Sequence, residues 1–141
     1  MTTDLSLKVT HHIPASPERV FDAWLTPETL RKFITPDFTL EQADVTLDPR
    51  EGGRFDIIMK GTERPLPHWG IYKTIDRPRT LVFTWVSEWS LEDSTVTLTF
   101  TPSGTGTDVT LVHDRFMNDE MRDNHERGWA SILRALSTAE I

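Results

Sequence analysis

Apolar residues in this chain keep one spacing for most of its length and then change it. From Phe38 to Asp114 they recur at every second position, and beyond Phe116 at every third or fourth. The first spacing belongs to strands and the second to a helix. A run of strands followed by one long amphipathic helix buries its apolar stripes only if the helix lies across the sheet, which predicts an α+β fold.

The details sharpen that architecture. Leu5, Leu7, Val9, His11 and Ile13 share one face of an opening strand. Ser16-Pro17-Glu18 and Thr26-Pro27-Glu28 each supply a cap, a first-turn proline and an acid, so two short helices follow. The first carries Val20, Phe21, Trp24 and Leu25, and the second carries Leu30, Phe33 and Ile34. Phe38–Leu47 and Trp69–Ile75 read as strands. Gly52-Gly53 is a turn or bulge ahead of Phe55, Ile57 and Met59, and Gly61–Pro67 is a loop. Leu81, Phe83, Trp85 and Trp89 share one parity. Val96, Leu98 and Phe100 alternate with threonines, and Val109, Leu111 and His113 follow a hairpin loop at residues 102–106. Met117, Met121, His125, Gly128, Trp129, Ile132 and Leu136 form the stripe of the long C-terminal helix, with Asn118 as its N-cap. The expectation is a single domain over residues 1–141, with about six to seven strands, two short helices after the first strand and one long helix.

Composition excludes several function classes. There is no cysteine among the 141 residues, which removes disulfides, thiolate nucleophiles and Cys-ligated zinc. A net charge of -7 without a basic run argues against nucleic acid as a partner. No stretch approaches the roughly 20 apolar residues of a membrane helix, and the first residues lack the pattern of a signal peptide, so a cytoplasmic protein is expected. Neighbouring His11 and His12 point to opposite faces of a strand and no HExxH motif occurs, so no metal site is expected. A Gly-rich phosphate loop and a Ser-His-Asp order are also missing, so neither a cofactor nor catalytic residues are assigned.

The chain is rich in indole, with 5 Trp and 7 Phe against 1 Tyr. Trp69, Trp85, Trp89 and Trp129 sit on the elements expected to enclose the space between sheet and long helix, with Phe55, Met59, Phe116 and Met121 nearby. Phe21 and Trp24 read as packing. Converging aromatics with few polar groups are the usual lining of a small-molecule site. Gly128 costs the helix about 1 kcal/mol relative to Ala, so it marks either close packing or room for a ligand. His113 and His125 are each a packed histidine with one hydrogen bond or a polar handle on a ligand. Were both to point inward, the pair could hold a carboxylate or carbonyl, or shuttle a proton.

Several segments resemble one family in order along nearly the whole chain. They are residues 20–28 (VFDAWLTPE), 48–55 (DPREGGRF), 70–72 (GIY), 78–85 (PRTLVFTW), 95–98 (TVTL) and 125–129 (HERGW) with Leu133 and Leu136. The set is similar to the family named after the activator of heat-shock-protein-90 ATPase (AHSA-like), within the START-like and Bet v 1-like (SRPBCC) superfamily. The resemblance implies a helix-grip fold with an apolar cavity between sheet and helix. Three functions are compatible with it: binding of a small apolar or aromatic ligand, a chaperone-cofactor-like interaction module, or a cyclase- or hydrolase-type enzyme using a pocket histidine. The protein would work as a monomer or homodimer.

Overall fold

In the computed structural model, which describes residues 5–34, 43–60, 64–88 and 90–141, the two-residue spacing becomes one antiparallel sheet of seven strands. The chain enters as β1 (Ser6–Ile13), passes through α1 (Pro17–Trp24) and α2 (Pro27–Phe33), and returns as β2 (Asp44–Leu47). It then meanders through β3 (Arg54–Lys60), β4 (Pro65–Asp76), β5 (Thr80–Thr84), β6 (Thr95–Ser103) and β7 (Gly106–Asp114) before ending in α3 (Asp119–Thr138). The spatial order is β1-β7-β6-β5-β4-β3-β2, so the two helices carry the chain from one sheet edge to the other. This is the helix-grip α+β arrangement.

Register explains the core. Leu98 lies opposite Leu81 on one side and Leu111 on the other, while Val96 lies between Phe83 and His113. Leu81, Leu98, Leu111, Val96 and His113 are fully buried. Each such apolar side chain contributes about 1.5–3 kcal/mol over leaving it in water. A one-residue slip would turn the whole row to solvent, so the alternation with threonines is also what sets the register.

The helix signals act as local chemistry requires. Ser16 Oγ accepts the Arg19 N–H at 3.3 Å and Asn118 Oδ1 accepts the Met121 N–H at 2.9 Å, capping α1 and α3. Thr26 departs from the expected cap: its hydroxyl donates back to the Asp22 carbonyl at 2.8 Å and makes no capping bond to α2. Phe21 meets Phe100 edge-on at 5.1 Å and Trp24 meets Phe33 at 5.0 Å, the packing expected of both.

One strand differs from its sequence reading. Instead of a loop through Pro67, β4 begins at Pro65, and Pro65 and Pro67 pair with Lys60 and Ile58. A strand tolerates proline where no N–H is needed. Trp69, of the same parity, sends its N–H to the Val86 carbonyl on the β5 side, and β5 ends at Thr84, short of a position beside either proline. Of the expected Phe38–Leu47 strand, residues 44–47 are seen as β2. Residues 38–42 lie outside the described residues, as do 61–63 and Trp89.

Gly70 is required by close approach. A Cβ there would lie 1.9 Å from the Thr84 carbonyl oxygen and 2.6 Å from the Phe55 ring. Gly70→Ala is therefore expected to lower the free energy of unfolding by about 1–3 kcal/mol in a denaturant titration; unchanged stability would contradict this placement.

Candidate apolar cavity and its histidines

The backbone of α3 lies close to β1 and α2, whereas β3 and β4 reach it chiefly through side chains. A buried chain of hydrogen bonds ties the helix to the sheet. The Trp129 indole N–H donates to His113 Nδ1 at 3.0 Å. An indole nitrogen can only donate, so Nδ1 accepts and the ring's proton sits on Nε2. That proton goes to Ser94 Oγ at 2.5 Å, and the Ser94 hydroxyl turns to the Asp114 carbonyl at 3.4 Å. Both nitrogens of His113 are thereby committed within the protein. Burial, and secondarily the neighbouring His125, push its pKa well below the ordinary histidine value, so it is neutral.

Beside this chain of bonds lies a cavity of about 180 Å³. Its floor is Met59 of β3, Leu66 and His68 of β4, and Trp85 just beyond β5. Its roof is the α3 face of His125, Gly128, Trp129 and Ile132, with Ser87 at one side and exposed Asn124 at the rim. His68 stacks on Trp85 with ring centroids 4.9 Å apart, and Trp85 tilts against Trp129 at the same distance. A Cβ built on Gly128 meets no atom within 4 Å. The helix glycine thus borders open space, and close packing does not account for it.

His68 and His125 are held alike. Nδ1 of His68 lies 3.0 Å from the Leu66 carbonyl, and Nδ1 of His125 lies 2.8 Å from the Met121 carbonyl. A carbonyl only accepts, so each Nδ1 carries the proton and each Nε2 is left with a lone pair. Burial lowers the His68 pKa to about 4, against the carbonyls of Leu66 and Ile57, which favour its proton; charge on His125 would lower it further. Burial also lowers the His125 pKa, opposed by its bond to Met121.

Of the residues expected at this site, Met59, Trp85, His125, Gly128 and Trp129 come together around the cavity. Phe55 is buried one layer away, stacked on Trp85 at 6.0 Å. It borders a second space of only about 10 Å³ with Trp24, Tyr72 and Phe83, and Trp85 is the wall between the two. Phe116 packs on His113 at 4.3 Å and on His125 at 5.2 Å, behind the lining. Met121 is half-buried and contributes its carbonyl to His125. His113 does meet His125, edge to face at 5.3 Å, but with both nitrogens engaged it is no partner for a ligand.

Trp69 is a correction. It lies on the opposite face of the sheet, beside Ile71, Arg54 and Glu88, because Leu66, His68, Gly70 and Tyr72 are the inward residues of β4. Starting the strand at Trp69 hides this, since a bulge between Tyr72 and Thr74 then brings Ile75 against the core and makes the odd parity look internal. Exposed Pro65, Pro67 and Lys73 on the odd face were the signal for the other parity, and with it for Leu66 and His68.

A seven-stranded antiparallel sheet gripping a C-terminal helix over an apolar recess defines the class: a helix-grip domain. The chain belongs to the family described as activator of Hsp90 ATPase homolog 1-like proteins, whose model matches residues 14–139. A curated relative, the activator of 90 kDa heat shock protein ATPase homolog of Dictyostelium discoideum, is 29% identical over 130 residues. Those residues are 90% of this chain but only 30% of that relative's length. The fold recurs in protein CV1439 of Chromobacterium violaceum, with a TM-score of 0.81 at 22% identity over 94% of both chains. It recurs again in the Aha1 dimer of Colwellia psychrerythraea, with a TM-score of 0.73 at 18% identity over 94% of this chain and 93% of that one. Among the described residues no helix is long and apolar enough to cross a membrane.

Two expectations follow. Trp129→Phe strips His113 Nδ1 of its donor and should lower the free energy of unfolding by about 1–3 kcal/mol. The buried histidines also make stability depend on pH. Their folded pKa values lie below the unfolded value of about 6.5, so unfolding takes up protons below that pH. Stability should be fully present above pH 6.5 and fall as the pH drops toward 5, with a limiting slope of about 1.4 kcal/mol per pH unit for each histidine. A flat profile between pH 6.5 and 5 in denaturant titrations would contradict neutral burial.

Proposed function

We propose that this protein binds a small apolar or aromatic molecule between the sheet and α3. The observation that carries the reading is Gly128. A helix interior gives up about 1 kcal/mol to hold a glycine there, and the space this leaves is the roof of the cavity. Size sets the ligand class. An engineered apolar cavity of roughly 150 Å³ takes up one benzene, so about 180 Å³ suits a single ring with a small substituent. The lining of Trp85, Trp129, Ile132, Met59 and Leu66 supplies aromatic and aliphatic surface for such a ring.

A second reading is supported by the Dictyostelium relative's name: a module that engages a 90-kDa heat-shock protein and stimulates its ATPase. The chain spans 30% of that relative, so this activity belongs to the alternative. The two readings separate with one variant and two assays. Under the first, toluene at a hundred times its Kd raises the free energy of unfolding by about 2.7 kcal/mol. Gly128→Leu, whose side chain would occupy the cavity, keeps the fold and abolishes that gain. Under the second, the chain accelerates chaperone ATP hydrolysis, and Gly128→Leu does so equally well. Absence of any toluene effect on the unsubstituted protein overturns the first reading.

A further inference from the structure

The polar groups inside the cavity define its occupant more narrowly. We propose that the ligand is an uncharged single-ring aromatic carrying an O–H or N–H donor, of the phenol or aniline type, that donates to Nε2 of His68 or His125. This inference rests on the cavity being a ligand site and deepens that reading.

Both rings border the same space, one from the sheet and one from the helix. Each has its Nδ1–H turned to a backbone carbonyl, Leu66 for one and Met121 for the other. Nε2, the nitrogen farther from the Cβ, is therefore an acceptor in both, and no described residue donates to either. Burial keeps the rings uncharged at neutral pH. The interior thus offers two acceptors in an apolar surround.

A carboxylate or ketone brings only further lone pairs, so neither Nε2 gains a donor from it. A hydrocarbon fills the volume but likewise leaves both acceptors dry, which costs free energy once water is displaced. A phenol satisfies one acceptor while its ring lies against Trp85 and Trp129. The remaining polar groups do not reverse this preference. Asn124 is exposed at the rim and its Oδ1 accepts from Arg127, so it can donate only at the entrance. Ser87 stands at the side of the cavity, and its hydroxyl, able both to donate and to accept, serves a phenol as well as a ketone.

Calorimetric titration at pH 7.5 with phenol, toluene and benzoate tests the proposal. Phenol should bind about tenfold more tightly than toluene, equal to about 1.4 kcal/mol, and benzoate should not bind. In the His68→Phe/His125→Phe double variant that advantage should vanish while toluene still binds. An independent readout on the unsubstituted protein is the imidazole 15N spectrum: a histidine Nε2 signal should move with phenol and stay in place with toluene. Toluene binding as tightly as phenol, benzoate binding as tightly as phenol, or an unmoved Nε2 signal each overturns the proposal and leaves the cavity reading standing. Failure of both phenol and toluene to bind overturns the two together.

Discussion

The bond from the Trp129 indole to His113 ties the long helix to the sheet through the protein interior. An apolar helix stripe facing an apolar sheet has every reason to close on it, because each further area buried is favourable. The Trp129–His113–Ser94 chain fixes the contact on one side of the gap between helix and sheet. It is buried, every donor in it has an acceptor, and breaking any link leaves an orphan in a medium without water. It pins α3 to β7 and to the segment ahead of β6. The helix backbone stays near β1 and α2, and the gap toward β3 and β4 is left to side chains. Gly128 occupies the roof of that gap and withholds the side chain that would close it.

The three inner histidines divide the labour by what surrounds their nitrogens. All are neutral because burial penalises the charged form. His113 is saturated and serves packing. His68 and His125 each spend one nitrogen on a carbonyl and keep the other as an acceptor beside the cavity. The same residue type, fully buried at one position and half-buried at two others, thus ties helix to sheet in one place and leaves an acceptor beside the cavity in the others. The difference is made by the Trp129 indole N–H and the Ser94 hydroxyl, which between them occupy both nitrogens of His113.

Much of this was legible in the residues. Period two followed by period 3.6 defines the sheet and α3. The caps at Ser16 and Asn118 are local contacts between atoms three residues apart, although Thr26, with the same local signal, turns its hydroxyl back to Asp22. Trp85, Trp129, His125 and Gly128 stand out because they sit on the inward stripe of their elements. The rest depends on contacts no local pattern carries. Two prolines that read as a loop, and a bulge that reverses the face midway, hide the parity of β4, and with it the outward Trp69 and the inward His68. The saturation of His113 depends on residues 16 and 19 positions away, and whether Gly128 meets a wall or a void is decided wholly across the sheet–helix gap.

The central claim is that the space beneath Gly128 stays open in the folded protein. Diffraction from crystals pressurised with xenon tests this directly, since xenon enters apolar voids of this size and makes no demand on hydrogen bonding. The account predicts one xenon peak bounded by Trp85, Gly128 and Ile132, with the Trp129–His113 bond intact. A structure in which α3 has settled onto Met59 and Leu66 and no xenon is bound would contradict it.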